Sequence, residues 1–221
     1  MTNRYNHPHL EDLPGEMLDF ERGKLREWVY DKRPSVVFEI GGGSGGGSTI
    51  NIAHGLKTLK ENGYCKDVKF YSCDAGHSRA HMSASYFSTH PDYKDFVHVF
   101  HEHSHHFINR LAIKDGIIPD FVFFDGPEEA EENLTDFKTI ESLVPIGTLF
   151  AAHDWETKKR AYDGATSVKN LLIRPHLEEN KNWKELEKLS GFSNEWPNKD
   201  GDVHSVGLVL YEKVNTGIKL T

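Results

Sequence analysis

The stretch Phe38–Ile50, FEIGGGSGGGSTI, places six glycines in the seven positions from Gly41 to Gly47. Glycine inside a structural element costs about 0.5–1 kcal/mol relative to alanine. A cluster this dense implies a backbone that turns sharply and lets a ligand come close. An apolar run, Ser35–Ile40, leads into it. Helically spaced Ile50, Ala53, Leu56 and Leu59 lead away. Strand, glycine loop, helix is the opening unit of a nucleotide-type α/β fold.

The rhythm continues along the chain. Apolar, β-branched and aromatic runs recur at Val68–Cys73, Phe96–Phe100, Asp120–Phe124 and Thr148–Ala152. Leu134, Phe137, Ile140 and Val144 repeat at helical spacing between the last two. Upstream, Pro14–Pro34 reads as a helix with Leu18, Leu25 and Val29 on one side. Short apolar strands alternating with helices imply buried parallel strands and right-handed crossovers. The rhythm breaks at the end. Trp183–Gly191 and Ser205–Val214 are strand-like runs joined by a turn-rich loop, which predicts a terminal hairpin.

Composition bounds the function. The chain has 221 residues, 37% hydrophobic and 27% charged, which suits one globular domain, residues 1–221. Residues 1–17 form an N-terminal segment fit for a lid or a substrate contact. That segment lacks the basic-then-apolar pattern of a secretory signal, and no apolar stretch approaches the ~18 residues of a spanning helix. A cytoplasmic protein with no membrane partner is expected. A net charge of −8 argues against nucleic acid, whose binders carry excess Lys and Arg. Cys65 and Cys73 are too few for a disulfide framework or a cysteine zinc site. Histidine is abundant, with fourteen copies.

Three ligands are commonly served by such a loop: a nucleoside triphosphate, a dinucleotide and S-adenosylmethionine (SAM). A P-loop needs lysine after its second glycine. Gly42 and Gly47 have the spacing, but Ser48 stands in the lysine's place. The dinucleotide pattern G-x-G-x-x-G is met by Gly41, Gly43 and Gly46, with Asp74 as the following acid, yet so many glycines meet it almost freely. A dinucleotide fold also continues with a second parallel half, where this chain has a hairpin.

From about Leu18 to Val214 the chain resembles class I SAM-dependent methyltransferases, particularly the small O-methyltransferases related to the catechol and caffeoyl-CoA enzymes. FEIGGGSG is similar to their first motif, with Glu39, Gly41 and Gly45 at matching places. YSCDAG resembles the end of strand two, where Asp74 would grip the ribose hydroxyls. HEHSHHFINRL is similar to the stretch after strand three, with Ser104 and His105 beside the adenine. PDFVFFDGPEEAEENLTDF resembles the strand-four signature, its aspartate being Asp125. GTLFAAHDW is similar to strand five, ending in His153 and Asp154. The resemblance implies a seven-stranded Rossmann-like sheet of order 3-2-1-4-5-7-6, its last strand antiparallel. It also implies a cofactor site of Glu39, Gly41, Gly43, Ser44, Gly45, Asp74, Ala75, Ser104, His105 and Asp125.

The implied reaction is attack of an acceptor oxygen on the sulfonium methyl of SAM, with Asp125, His153 and Asp154 as the catalytic set. Two routes follow. In catechol-type relatives these places hold magnesium, which makes the acceptor hydroxyl more acidic. Here His153 departs from the oxygen ligands that magnesium prefers, so Asp125, His153 and Asp154 would hold magnesium or a softer divalent ion. Alternatively His153 is itself the general base, or it is a structural histidine. Glu128 is a second departure, since relatives often carry histidine there. His98, His101, His103, His105 and His106 invite a zinc reading, because alternate residues His101, His103 and His105 would share one face of an extended segment. Lining of the adenine side or solvent is the other reading.

The acceptor is expected to be a polar small molecule. Its selection would fall to residues 1–17 and to the loops Pro127–Asn133 and Glu156–Ser167. A homodimer is compatible with the sequence. The competing functions are a cofactor-binding protein without turnover and an NAD-binding Rossmann enzyme.

Overall fold

The apolar run before the glycine loop becomes β1 (Val36–Ile40), in which Val37 through Ile40 are buried. Consecutive buried apolar residues mark a strand covered on both faces. The protein, a computed structural model, is described over residues 13, 15, 17–127, 129–155, 169–193 and 204–215. Glu128, the 156–167 loop, and the 1–17 segment apart from Leu13, Gly15 and Met17 lie outside the described residues. The sheet has seven strands in the order β3-β2-β1-β4-β5-β7-β6, as expected from the sequence. Two compact units divide the chain, Met1–His103 and Ser104–Thr221.

In the first unit, β1 pairs in parallel with β2 (Lys69–Asp74), and β2 with β3 (Val97–His101). The helix α1 (Asp19–Lys32) precedes them and buries Leu25, Trp28 and Val29. Leu18 stands just before it, its N–H donating to Glu21 Oε2 at 3.1 Å, which satisfies a donor the first turn leaves open. The crossovers are α2 (Ser48–Glu61) and α3 (His77–Thr89). Ile50, Ala53, Leu56 and Leu59 of α2 are all buried, as their spacing predicts.

The glycine loop is held at its start by the neighbouring strand. Gly41 and Gly42 both donate their N–H to the Cys73 carbonyl, at 2.9 and 3.0 Å. A Cβ on Gly42 would lie 2.2 Å from Ser72 Oγ and 2.8 Å from Glu39 Oε2. Gly45 has φ +92°, and its Cβ would fall 2.7 Å from Ser83 Oγ on α3. Packing therefore demands glycine at Gly42, and both conformation and packing demand it at Gly45.

In the second unit, α4 (Ser104–Ile108) runs into a π-helical turn, Asn109–Lys114. β4 (Phe121–Phe124) and β5 (Leu149–Ala152) pair in parallel around α5 (Ala130–Leu143). After α6 (Ile173–Glu179), β6 (Trp183–Ser193) and β7 (His204–Lys213) form the antiparallel hairpin, and β7 also pairs antiparallel with β5. This hairpin stands where a dinucleotide fold would have its second parallel half. The core holds Phe124, Phe137 and Phe150, with Phe137 and Phe150 centroids 4.7 Å apart. Lys213 closes α5 by donating to the carbonyls of Glu141 and Val144 at 2.6 and 2.8 Å, groups without a partner inside the helix.

Two sequence expectations need correction. Strand pairing stops at His101 and Ser104 already opens α4, whose Phe107 and Ile108 are buried. His101, His103 and His105 therefore do not share one extended face. The supposed loop Pro127–Asn133 is half helix, because α5 begins at Ala130 and buries Ala130 and Asn133.

Gly42→Val forces a branched side chain against Ser72 and Glu39. Overpacking of this kind costs about 1–3 kcal/mol, to be read from the midpoint of urea unfolding. An unchanged midpoint would show that the loop has slack at this position.

Candidate active site

At the end of β1, Glu39 is fully buried and accepts two hydroxyl hydrogen bonds on Oε2, from Thr49 at 2.7 Å and Ser72 at 2.5 Å. A buried carboxylate is tolerated only with such donors. Glu39 thus ties the first turn of α2 to β2. At the end of β2, Asp74 Oδ2 accepts the Gly43 N–H at 2.9 Å and Oδ1 accepts the Gly76 N–H at 2.7 Å. Arg79 Nε lies 3.7 Å from Oδ1. Gly41, Gly43, Ser44 and Gly45 belong to the loop so held, and Ala75 follows Asp74 directly.

The remaining expected residues belong to the second unit. Ser104 opens α4, and its hydroxyl hydrogen-bonds the buried carboxyl of Asp136. Burial pushes that carboxyl above its ordinary value, against the lowering effect of Ser104. His105 is exposed beside His106, ring centroids 4.0 Å apart.

Asp125 follows β4, and His153 with Asp154 follows β5. His153 Nδ1 lies 3.4 Å from Asp125 Oδ2 and 3.5 Å from Asp154 Oδ1. The His153 N–H donates to the Phe124 carbonyl at 3.0 Å, which fixes the β5 end against β4. Asp154 has φ +54°, a left-handed conformation that a non-glycine residue adopts at a cost and that clusters at functional sites. The expected trio is therefore brought together.

A fourth member joins them that no motif in the sequence marks. Lys169, its side chain 4% exposed, donates Nζ to Asp125 Oδ1 and lies 2.8 Å from Asp154 Oδ2. Burial alone would lower the lysine and raise Asp125. The opposing charges prevail, and also His153 in the case of Asp125, so Lys169 titrates above its ordinary value and Asp125 below. Two asparagines fix the segment. Asn133 Nδ2 donates to the Lys169 carbonyl at 2.8 Å, and Asn170 Nδ2 to the carbonyls of His153 and Asp154 at 2.8 and 3.3 Å. Nothing periodic marks Lys169, which lies 44 residues from its partner Asp125.

Ligand atoms of Asp125, His153 and Asp154 lie within 4.8 Å of one another, a grouping that suits a divalent ion by itself. With Lys169 included the donor set does not fit one. Both carboxylates already face a buried ammonium, and a metal would bring two further positive charges against it.

A family model described as a methyltransferase domain matches residues 38–155, more than half of the chain. The chain belongs to this family. Its match begins in β1 and ends just past Asp154, so it spans the glycine loop, Asp74, Asp125 and His153. No protein of curated function matches in sequence. Solved structures share the methyltransferase fold at low identity. An O-methyltransferase from Bacillus cereus in complex with SAH has a TM-score of 0.72 at 15% identity, covering 96% of this chain and 93% of that one. The O-methyltransferase TomG of tomaymycin synthesis from Streptomyces achromogenes, in complex with SAM, gives 0.64 at 15%, covering 94% and 86%. A putative caffeoyl-CoA O-methyltransferase from Staphylococcus aureus gives 0.59 at 11%, covering 93% and 88%. Among the described residues of this methyltransferase domain, no helix is long and apolar enough to cross a membrane.

Lys169→Met removes the ammonium and leaves Asp125 and Asp154 together. Breaking a buried ion pair costs about 3–5 kcal/mol. The acids keep 22% and 17% side-chain exposure, so about 3 kcal/mol, the lower end, is expected in urea unfolding. The depressed Asp125 value contributes stability that is complete above about pH 4 and is lost as pH falls through that value. This acid-side slope should shrink in the variant. An unchanged slope would mean that Lys169 does not set the ionisation of Asp125.

Proposed function

We propose that this methyltransferase domain transfers the methyl group of SAM to an oxygen of a polar small molecule. The observation that carries the proposal is the pair of backbone bonds to Asp74. A carboxylate offers about four lone-pair sites. Two of them take the N–H groups of Gly43 and Gly76, leaving capacity for the two hydroxyls of a ribose. A Cβ on Gly43 would meet nothing within 4 Å, so open space adjoins the loop. Glu39, Gly41, Gly43, Ser44, Gly45 and Ala75 are assigned to the cofactor with Asp74. Relatives in fold solved with SAH or SAM support the choice of cofactor. SAM, when bound, supplies an electrophilic sulfonium methyl.

His153 serves as the general base. A carboxylate facing Nδ1 favours the tautomer protonated there and leaves Nε2 as the basic nitrogen. His153 takes the acceptor's hydroxyl proton as the oxygen becomes the nucleophile. Asp125 and Asp154 orient the ring and stabilise the imidazolium that forms. Lys169 keeps Asp125 ionised, and Asn170 holds the backbone of His153 and Asp154. A divalent ion would have to displace Lys169, so the proposed reaction runs without one. The polar acceptor rests on the charge of the acidic run Glu128–Glu132 and the basic run Lys158–Arg160, both beside strand ends in sequence.

Calorimetric titration tests the cofactor assignment. Asp74→Ala removes charge-assisted hydrogen bonds worth about 1.5–3 kcal/mol, so SAH should bind about tenfold to a hundredfold more weakly, and NAD should not bind the wild type. Unchanged SAH affinity, or NAD binding in place of SAH, would overturn it. With an acceptor in hand, turnover of His153→Ala should fall by about 10²–10⁴, and added magnesium should not raise the wild-type rate. A near-wild-type rate in that variant, or a magnesium requirement, would remove His153 as the base.

A further inference from the structure

Three histidines of the first unit take no part in the proposed reaction. His77 opens α3, His81 follows one turn later and His101 closes β3. Residues four apart on a helix share a face. The ring centroids of His77 and His81 are 4.3 Å apart, those of His77 and His101 4.8 Å, and those of His81 and His101 5.8 Å. One nitrogen from each of the three lies within 4.8 Å of the others, and all three residues are exposed. His77 Nδ1 and His101 Nδ1 are 3.4 Å apart. Two nitrogens bound at about 2.0–2.1 Å to one tetrahedral zinc ion stand about 3.4 Å apart.

The other side of the His101 ring carries the same signal. Its Nε2 lies 3.2 Å from the Ala75 carbonyl. A carbonyl only accepts, so Nε2 carries the proton and the Nδ1 lone pair is turned to His77. Metal-bound imidazoles are held in this way, one nitrogen donating to a carbonyl and the other ligating.

We propose that His77, His81 and His101 form a binding site for a borderline divalent transition metal of the zinc type, with a fourth position open to water. Three neutral nitrogens with no carboxylate among them suit zinc, cobalt, nickel or copper and not magnesium or calcium. The site shares no residue with the Asp125 cluster and does not depend on methyl transfer. Its bound ion cross-links the first turn of α3 to the end of β3. His101 pairs in register with Asp74, and Ala75 supplies the carbonyl. The ion therefore fixes the short Asp74–His77 segment from both sides.

The test uses the full chain freed of metal, with zinc alone as the calorimetric probe and cobalt(II) as the spectroscopic one. The wild type should bind one zinc at this site, show visible absorption of four-coordinate cobalt, and melt at a higher temperature with zinc present. His77→Ala and His81→Ala, each at an exposed position, should weaken zinc binding by at least about tenfold, because losing a supporting partner alone costs 10–100-fold. Both should also lose the cobalt spectrum while keeping the wild-type circular dichroism. No zinc uptake by the wild type would overturn the proposal. So would zinc binding that survives both substitutions, or that is lost instead in Asp125→Asn.

Discussion

The first unit depends on one carboxylate. Asp74 accepts a backbone N–H on each oxygen, Gly43 from the glycine loop and Gly76 from the entry to α3. A loop of six glycines has little of its own to fix it, since glycine leaves the backbone free and contributes no side-chain contacts. Its order is imposed from outside by three acceptors: Asp74 at its middle, the Cys73 carbonyl at its start, and Glu39 through Thr49 at its helical end. Each sits at or beside the carboxyl end of β1 or β2, where ligands of open α/β sheets bind. The loop is therefore held from the strand ends, with open space beside Gly43.

The second unit solves a different problem with the same economy of parts. Asp125 and Asp154 flank His153, and two carboxylates with one imidazole would leave a net negative, largely buried site. Lys169 supplies the balancing charge from a segment that Asn133 and Asn170 pin by its backbone. A fixed ammonium and a bound divalent ion are alternative answers to one electrostatic demand. This chain has built in the first.

What the sequence made legible follows from what is local. Buried parallel strands write themselves as unbroken apolar runs, so β1, β2, β4 and β5 were readable, as was α2 from the spacing of Ile50 through Leu59. The terminal hairpin was legible because two strand-like runs lacked a helix between them. Strand ends were less so: β3 extends to His101, and the helix starting at Ser104 then removed the extended histidine face expected there. Asp125, His153 and Asp154 were named from the resemblance of FFDG and AAHDW to the ends of strands four and five, and the folded chain brings their ligand atoms within 4.8 Å of one another. Lys169 was not, since only the folded chain brings it to Asp125. The pair His77 and His81 did carry a signal, the four-residue spacing in HSRAH, but its partner His101 arrives from a different element. Glu39 was expected at the cofactor, and its bonds to Thr49 and Ser72 give it a second task in bracing the loop.

The central claim is that the loop held by Asp74 is a cofactor site of the SAM type, and a crystal structure of the protein with SAH tests it most directly. The account predicts the ribose hydroxyls within hydrogen-bond distance of Asp74, with the rest of the ligand following the Gly41–Gly45 backbone. Ligand density elsewhere in the molecule, with Asp74 bonded only to Gly43 and Gly76, would contradict it.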